Sequence, residues 1–469
     1  MQPRTWNYFT MDETPQEIRP SVKIWRLAWP QTAMMFFHFL IGFIDVYVAG
    51  QLSDKVQASL GIITQSLFFF LIIAMAFSNG AVSTISQSLG SGKTKRAQHY
   101  VGLTLELVFT AGVLLSIVSF LGRSYFLDLM QVPPEIYSIT TYYLKIYILL
   151  IPLYYLFIVS NAVFRARQQV YIPLVSMMIA TLMNTLGDFG LSFGLWGLPD
   201  LGFKGLPWAT VGSIGLALCY NIFMLYYNGW LHISSFPPVR WIQKGLPYLW
   251  SVAWPAGLMQ VLWHSAYLVL FAITASLPNE NITALAALTA GLRVESILFL
   301  PAVAFNMTAS ILVGNYLGQG DIQGAKSVGL KTWLFGVTLI IIMAGALLSF
   351  VPSVAGILSA KPLVKQEIIN YLYFNIAAIP FTGTAIILGG VFIGAGATRY
   401  NMAAIGGTVW LVRLPLAFLM GHVILKNATG VWAAMLISQV IQASLVFSLF
   451  KFKDWSKYSM FAHKQTSRN

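Results

Sequence analysis

Long apolar runs recur along the whole chain, and each is long enough to cross a hydrocarbon core of ~30 Å. The first, at residues 24–50, reads "IWRLAWPQTAMMFFHFLIGFIDVYVAG". Charged residues make up only 9% of the sequence, whereas roughly 25% is usual in a soluble protein. A membrane barrel would instead show alternating segments of ~10 residues. The sequence therefore predicts an all-α integral membrane protein.

Twelve membrane-spanning helices are predicted from the apolar runs and from the turn and charge signals between them. We place these spans at 24–50, 58–86, 100–121, 137–163, 172–193, 205–228, 246–275, 283–313, 328–350, 367–393, 403–423 and 428–450.

The distribution of basic residues tests this count. Nineteen of the 28 Lys and Arg residues fall in the two tails, in the loops that follow even-numbered spans or in the first few residues of the spans next to them. The loops that follow odd-numbered spans hold six: Lys55, Arg123, Lys204, Lys361, Lys365 and Lys426. Basic residues concentrate in short cytoplasmic loops. We therefore expect a multi-pass protein of the cell (inner) membrane with both termini in the cytoplasm.

Two stretches of the first half return in the second half. "LAWPQTAMMFF" at 27–37 returns as "VAWPAGLMQVL" at 252–262, an offset of 225 residues. "SQSLGSGKTKRA" at 86–97 returns as "VGNYLGQGDIQGA" at 313–325, an offset of 228. Because each half holds six spans, both halves enter the membrane with the same orientation, as parallel repeats do. Repeats of this kind usually enclose a central cavity and transport by rocking against each other.

The repeat divides the chain into two lobes of six helices around a central cavity. We predict an N-lobe at 24–228 and a C-lobe at 246–450, joined by a cytoplasmic linker at 229–245 that contains two adjacent prolines. The remaining residues, 1–23 and 451–469, are predicted to be cytoplasmic tails.

Other function classes find little support. "GSGKT" at 90–94 resembles part of a phosphate-binding loop, but that motif needs a first glycine where this chain has Gln87, and a preceding strand. Neither HExxH nor GxSxG occurs, so we expect no enzyme and no cofactor. The single Cys219 leaves no internal disulfide. We attribute the net charge of +13 to cytoplasmic loops rather than to a nucleic-acid partner.

Four of the 15 acidic residues fall within the predicted spans and away from their ends: Asp45, Glu106, Asp188 and Glu295. A carboxylate at that depth costs at least ~2.5–3.5 kcal/mol and needs a partner, a cation or a proton. Asp45 and Asp188 both fall in the outer half of the membrane, and Asn184 shares a helix face with Asp188. Two carboxylates at similar depth can share one proton, because like charges disfavour ionisation of both. A structural, hydrogen-bonded role for Asp45 remains the alternative.

Several motifs together resemble one known family. Each lobe opens with "WP", and "LGxG" follows both the second and the eighth span. The eighth span also contains "RxES" and "PA" (Arg293, Glu295, Ser296, Pro301 and Ala302) and then "LVGNYLGQG" at 312–320. With twelve spans in two lobes, this chain resembles the multidrug and toxic compound extrusion (MATE) transporters over essentially its whole length. The resemblance implies export of bulky, often cationic amphipathic compounds, driven by inward flow of H⁺ or Na⁺.

The resemblance also implies a site. The proton-coupled branch of the family has an Asp in helix 1, an Asn and an Asp in helix 5 and a Thr early in helix 6. The matching residues here are Asp45, Asn184, Asp188 and Thr210. The other major branch has acids in helices 7 and 10, where this chain has only Glu367, at the outer mouth of helix 10. We therefore expect Asp45, Asn184 and Asp188 to bind the coupling ion, H⁺ or Na⁺.

A hinge and a substrate cavity are predicted around this site. Pro30 lies about four turns below Asp45 and permits a kink in the first helix. Flexible Met and aromatic side chains suit promiscuous binding, and the candidates near the lobe interface are Phe37, Phe43, Met183, Met259, Trp263 and Phe305. For any one of these six, core packing or lipid contact is an alternative role. For Glu295, beside Arg293, a structural ion-pair network and substrate contact remain equal alternatives.

Two other hypotheses stay open. A flippase of lipid-linked saccharides would favour a cavity with several basic residues for the pyrophosphate, and only Lys145, Arg293 and Arg413 lie within spans. A receptor or membrane enzyme would not need the two-lobe repeat. The leading expectation is a monomeric antiporter in the lipid bilayer that binds small-molecule drugs.

Overall fold

Twelve long helices cross the molecule in the computed structural model, which describes residues 19–460. They are α1 (Pro20–Leu52), α2 (Asp54–Gly90), α3 (Thr94–Leu121), α4 (Pro134–Ala166), α5 (Tyr171–Phe193), α6 (Gly205–Tyr227), α7 (Val239–Ala275), α8 (Asn281–Gln319), α9 (Ile322–Leu348), α10 (Pro362–Ala395), α11 (Thr398–Ile424) and α12 (Ala428–Phe452). The predicted class of fold is confirmed, because all twelve predicted spans are found.

The helices extend beyond several predicted spans. The largest difference is α7, which begins at Val239, inside the segment 229–245 that was predicted as a linker. Pro238 precedes it, and a proline fits at a helix start because no backbone N–H is needed there. Short helices, Arg123–Leu129 and Val351–Leu358, also follow α3 and α9. Both belong to the same position of the repeat, since the offset between their first residues is 228.

The first helix of each lobe starts out packed against the other lobe. The largest buried apolar cluster lies in the C-lobe, and it includes Ile24, Leu27 and Ala28 from the start of α1. A second cluster lies in the N-lobe and includes Leu249 and Val252 from the start of α7. Each lobe's first helix thus begins in the core of the other lobe. Although the structure is consistent with the predicted lobes, their boundaries at 228 and 246 stay predictions.

The repeated "LGxG" motif forms a close crossing between the lobes. A side chain on Gly90 of α2 would collide with the backbone of Asn315 in α8, and one on Gly318 would collide with the backbone of Gln87. The offset of 228 residues relates Gly90 to Gly318 and Gln87 to Asn315, so the crossing follows the repeat. Two residues after each crossing, a glycine adopts positive φ and ends the helix, 69° at Gly92 and 84° at Gly320. This segment is a turn between membrane helices, not a phosphate-binding loop.

Both described chain ends lie on one side of the bundle. We call this side the terminal face and the other side the opposite face; α1 begins and α12 ends at the terminal face. Gln87 joins the lobes there, because its Nε2 donates to the Tyr248 hydroxyl at 3.0 Å and to the Gly394 carbonyl at 2.8 Å. Of the predicted tails, 1–18 and 461–469 lie outside the described residues.

Candidate functional site

Three helices of the N-lobe bring together the polar residues that the sequence singled out. Asp45 lies on α1, Asn184 and Asp188 on α5, and Thr210 near the start of α6. All four side chains are buried, Asp188 and Asn184 completely. Each lies near the end of its helix that faces away from the terminal face. The structure therefore gathers the predicted residues in one buried site toward the opposite face.

Asp45 and Asp188 face each other. Their carboxyl groups lie within hydrogen-bonding range, and the Asn184 amide lies beside Asp45. Two ionised carboxylates have no donor between them. Accordingly, Asp45 Oδ1 and both Asp188 oxygens have no hydrogen-bond partner, and neither does the Asn184 amide nitrogen or oxygen. Four of these five atoms are oxygens, which could bind a proton or a cation, and the fifth, the Asn184 amide nitrogen, can only donate.

Tyr147 of α4 completes the site. Its ring is buried, its hydroxyl lies 3.4 Å from Thr210 Oγ1, and it is within electrostatic reach of both Asp45 and Asp188. Tyr143, one turn away on α4, also lies near the two carboxylates. Thr210 donates to the Leu206 carbonyl of its own helix at 3.1 Å, which leaves its oxygen free to accept. Sequence reasoning missed Tyr147, because 21 tyrosines give it no distinction by composition.

Small residues allow the helices around the site to approach closely. A Cβ atom on Gly187, next to Asp188, would lie 2.7 Å from the Ala209 side chain of α6. On α1 the buried Val48 and Ala49 follow Asp45. The Thr181 hydroxyl of α5 donates to the Phe37 carbonyl of α1 at 3.2 Å. Small residues at helix contacts are a usual means of packing in membranes, and here they hold the two carboxylates together.

The arrangement can hold a proton or a small hard cation. A proton shared between the two carboxyl groups would supply the missing donor. A cation such as Na⁺ prefers oxygen ligands, and carboxylate, amide and hydroxyl oxygens are all present. Among residues 19–460, no group of three His, Cys, Asp or Glu side chains could hold a metal ion. The predicted Na⁺ at Asp45, Asn184 and Asp188 would therefore depend on the amide and hydroxyl oxygens as well.

The six predicted cavity residues differ in burial and are divided between the two lobes. Phe43 and Met183 are exposed, and Phe37 packs partly buried against the N-lobe core. Met259 and Trp263 pack against the C-lobe core. Phe305 is almost completely buried and borders a groove of about 420 Å³ between the start of α1 and α9. Their contact with a substrate stays a prediction.

The other residues with open roles lie apart from the site. Pro30 is buried inside a continuous α1. Arg293 is exposed, whereas Glu295 is buried in the C-lobe and accepts a hydrogen bond from Tyr371 at 2.8 Å. Arg413 is buried as well, and its partners are described below.

Comparisons with known proteins agree with this architecture. The sequence model of the MatE family matches twice, at residues 30–189 and 255–419, once in each repeat. The "Probable multidrug resistance protein NorM" of Thermotoga maritima is 23% identical over 467 residues, 98% of this chain and 97% of that protein. "Protein DETOXIFICATION 18" of Arabidopsis thaliana is 26% identical over 91% of this chain and 90% of its own length.

Solved structures share the fold. A structure described as "MATE in complex with MaL6" superposes with a TM-score of 0.86 at 17% identity, over 94% of this chain and 97% of that one. A second, described as an outward-facing conformation of a multidrug resistance MATE family transporter, also gives 0.86 at 17% identity, over 94% and 96%. With both halves matched by the family model and the fold shared over nearly the whole length, this chain belongs to the MatE family of membrane transporters.

Proposed function

We propose that this protein is a secondary antiporter that exports bulky, cationic amphipathic drugs or toxins, with Asp45 and Asp188 as its coupling site. One observation carries the proposal: two buried carboxylates face each other inside the N-lobe, and three of their four oxygens have no hydrogen-bond donor among the described residues. An uncompensated pair of this kind is costly inside a membrane. Binding and release of a cation at the pair therefore changes the stability of the lobe that holds it.

Coupling follows if the two conformations of the transporter differ in affinity for the ion. A ligand shifts a conformational equilibrium only by its differential affinity for the two states. Ionised Asp45 favours hydration or a cation near Asp188 and Asn184, and neutral Asp45 can pack more closely. We propose that cation binding from outside changes the packing of α1, shrinks the N-lobe cavity and expels the substrate.

H⁺ is the proposed ion, and Na⁺ is the alternative that the experiment below separates from it. The direct approach of the two carboxyl groups supports H⁺, because a shared proton needs only that contact. Na⁺ would need further oxygen ligands, which Asn184, Thr210 and Tyr147 could supply. We further propose a monomer of the inner membrane with the terminal face in the cytoplasm, which the predicted excess of basic residues in the loops of that face supports.

The names of the relatives support drugs as the substrates, since several are named multidrug resistance proteins. A flippase of lipid-linked saccharides has less support. Of the three basic residues within spans, Lys145 and Arg293 are exposed and Arg413 is buried in the C-lobe. The structure thus offers no basic cluster among the described residues of the N-lobe site to hold a pyrophosphate.

Efflux of ethidium from loaded cells tests the proposal, with pH and Na⁺ varied separately. We expect cells that express the protein to extrude the dye faster than cells without it. Dissipating the pH gradient should stop this efflux, whereas removing Na⁺ at constant pH should leave it. Efflux that follows Na⁺ alone would assign the site to Na⁺. Dye retention equal to that of cells without the protein, with the protein present in the membrane, would contradict the function itself.

A further inference from the structure

A second buried charged cluster lies in the C-lobe, and the proposed coupling site does not use it. Its charged members are Glu295 of α8, 3% exposed, and Arg413 of α11, 1% exposed. Both lie inside membrane-spanning helices, where ionisable side chains are costly and usually have a function.

Glu295 is held in place by an aromatic neighbour. The Tyr371 hydroxyl of α10 donates to Glu295 Oε2 at 2.8 Å, and the Asn375 amide lies beside the same carboxylate. The Tyr371 ring packs edge-on against Trp432 at 4.9 Å. Gly291, one turn before Glu295, leaves the space that this ring fills, because a side chain there would collide with it.

Arg413 lies within electrostatic reach of this carboxylate, and its observed contacts are with other residues. Its Nε donates to Ser438 Oγ of α12 at 3.0 Å, and its guanidinium lies over Trp263 at 5.2 Å and Tyr267 at 5.9 Å. Glu295 and Tyr371 lie within electrostatic reach. Neither terminal nitrogen of Arg413 forms a hydrogen bond of normal geometry, and the Tyr267 hydroxyl lies beside the guanidinium, so the group serves Glu295 as a nearby charge rather than as a forked ion pair.

The repeat relates this cluster to the N-lobe site. "YLKIYILLIP" at 143–152 of α4 matches "YLYFNIAAIP" at 371–380 of α10, with an offset of 228 residues. Tyr143 therefore corresponds to Tyr371. The same offset takes Asp188 to position 416, three residues from Arg413 and so on the same helix face, one turn away. Helices α4, α5 and α6 thus contribute to the N-lobe site, and their repeats α10, α11 and α12 contribute to the C-lobe cluster. Asp45 on α1 and Glu295 on α8 lie on helices that are not repeats of each other.

The N-lobe site and the C-lobe cluster differ mainly in the charges of their side chains. The N-lobe site has two carboxylates and no cation among their described contacts. The C-lobe cluster has Glu295 and a guanidinium, and the second buried carboxylate nearby, Glu367, accepts a hydrogen bond from Trp432. In the N-lobe, a cation that compensates the carboxylates must come from solution. In the C-lobe, the compensating cation is a side chain of the protein.

We propose that Arg413 is the built-in cation of the C-lobe. Its guanidinium compensates the negative charge of Glu295. In the N-lobe, the exchanged cation would compensate the negative charge of Asp45 and Asp188 in the same way. This inference rests on the proposed function for its N-lobe half. Glu295 therefore needs no exchangeable ion, and the chain exchanges cations in one lobe only. The pocket around Glu295 fits a planar, guanidinium-type monovalent cation, which it will take from solution once the arginine side chain is removed.

Chemical rescue of Arg413→Ala tests the inference on the purified full-length protein. Truncation leaves Glu295 buried without its cation, which is strongly destabilising. We expect the variant to melt at a lower temperature, followed by its tryptophan fluorescence. Millimolar guanidinium should restore part of the loss in a saturable way, whereas tetramethylammonium at equal ionic strength should not, because it is too bulky for the pocket. Wild-type protein should respond to neither salt.

The double variant Arg413→Ala with Glu295→Gln is the matched control. Without a carboxylate the pocket has no charge to compensate, so guanidinium should not stabilise it. The inference is overturned if guanidinium stabilises the single and double variants equally, or if it stabilises neither. Introducing Asp45→Asn beside Arg413→Ala separates the lobes, because the rescue should persist in that background. Since melting needs no transport, failure of the proposed export function would leave this outcome unaffected.

A second set of variants serves if Arg413→Ala does not accumulate as folded protein. Arg413→Lys keeps the charge and Arg413→Met keeps the length without it. We expect monodisperse protein from the Lys variant, little from the Met variant, and recovery when Arg413→Met is combined with Glu295→Gln. Equal yields of the Lys and Met variants would overturn the proposal, because charge would then be irrelevant at this position.

Discussion

At the scale of single residues, Asp45 occupies a place where an ionised carboxylate is costly and has no basic partner. It is only 7% exposed, and its nearest polar neighbours are another carboxylate and an amide. Such a residue stabilises the protein poorly, which is why we propose ion exchange as its role.

Asp45→Asn should abolish efflux and leave folding intact. The amide keeps the shape of the side chain and can donate to Asp188, so the buried pair is satisfied without any exchangeable ion. The measurement is ethidium efflux together with the amount of monodisperse protein. Asp54→Asn is the control, since Asp54 is exposed at the start of α2. Drug resistance equal to wild type in the Asp45 variant would remove Asp45 from the mechanism.

Asp188 and Asn184 should act with Asp45 as one unit. Alanine at either position should impair efflux at least about tenfold, which corresponds to about 1.4 kcal/mol of lost coupling. Combining either change with Asp45→Asn should add little, because residues of one network are not additive. Losses that add in a double-mutant cycle would show that the residues act separately.

The site could be predicted from the sequence as far as its charged residues are concerned. Acids are rare in this chain, so Asp45 and Asp188 were conspicuous, and the spacing of four residues put Asn184 on the same face. Tyr147 and the partners of Arg413 could not be found in this way, because aromatic residues are abundant throughout. Comparing the repeats "YLKIYILLIP" and "YLYFNIAAIP" would have singled out Tyr143 and Tyr371.

At the scale of elements, apolar length was enough to find all twelve helices, because a bilayer requires about 20 residues of each. It could not find their ends outside the hydrocarbon core, where polar residues continue the helix, as α7 shows from Val239. It also missed the wide turns of α11. Three stretches of that helix adopt π-helical turns, one of which ends at Arg413 just before Pro415. A proline inside a helix removes a backbone hydrogen bond, and wider turns accommodate it.

Pro30 gives α1 a weak point beside its contact with the C-lobe. Because proline has no N–H, one backbone bond is missing there. The next residue, Gln31, donates from Nε2 to the Leu27 carbonyl and to Thr308 Oγ1 of α8, both at 2.9 Å. Side-chain bonds to the backbone and to the other lobe thus support the interrupted turn.

Pro30→Ala should therefore slow transport without harming stability. The new N–H restores a helical bond, worth up to ~3 kcal/mol relative to proline in a helix interior, and the stiffened helix should bend less readily. Melting temperature and ethidium efflux are the measurements. Pro362→Ala is the matched control, because Pro362 is the first residue of α10, where the missing N–H costs nothing. Efflux at the wild-type rate with Pro30→Ala would rule out a hinge at this position.

At the scale of the whole molecule, the chain after α12 ties the two lobes together at the terminal face. Trp455 is buried in the C-lobe cluster, and Tyr458 packs edge-on against Tyr400 at 5.4 Å. The chain then reaches the N-lobe, where Met460 packs into the core and its N–H donates to Gln87 Oε1 at 2.8 Å. Gln87 also joins α2 to Tyr248 and Gly394, so the segment after α12 binds to the residue that already connects the two lobes.

A chain that ends at Ser459 should hold its lobes together less firmly than one that ends at Met460. The shorter chain loses a hydrogen bond of about 0.5–1.5 kcal/mol and the burial of a Met side chain, about 1.5–3 kcal/mol. Spin labels at the exposed Lys95 and Gln323, repeat-related positions of the two lobes, measure the separation at the terminal face. We expect a longer and broader distance distribution only in the chain that ends at Ser459. Identical distance distributions in the two chains would show that Met460 does not contribute to the contact between the lobes.

The two-lobe repeat could be predicted from the sequence because motifs return at a nearly constant offset. The places where the lobes contact each other could not be predicted, because they depend on many weak interactions across one interface. Gln87, Gly90 and Gly318 join the lobes at the terminal face, while the proposed coupling site lies toward the opposite face. A change at that site can reach the C-lobe through the long α1, which begins in the C-lobe core and carries Asp45 near its other end.

Protonation should consequently change the distance between the lobes at the opposite face. If the two conformations differ a hundredfold in proton affinity, about 2.7 kcal/mol, one proton shifts their populations by the same factor. Spin labels at the exposed Gln51, at the end of α1, and Asn281, at the start of α8, report this separation. Cys219 must first be replaced by Ser, because it is exposed and would also react. We expect different distances at pH 5.5 and pH 8 for this pair, and one distance at both for labels at Asn281 and Leu363 within the C-lobe. An unchanged Gln51–Asn281 distance would contradict the coupling mechanism. The same pH-dependent change in Asp45→Asn would also contradict it, because the proton would then act at another residue.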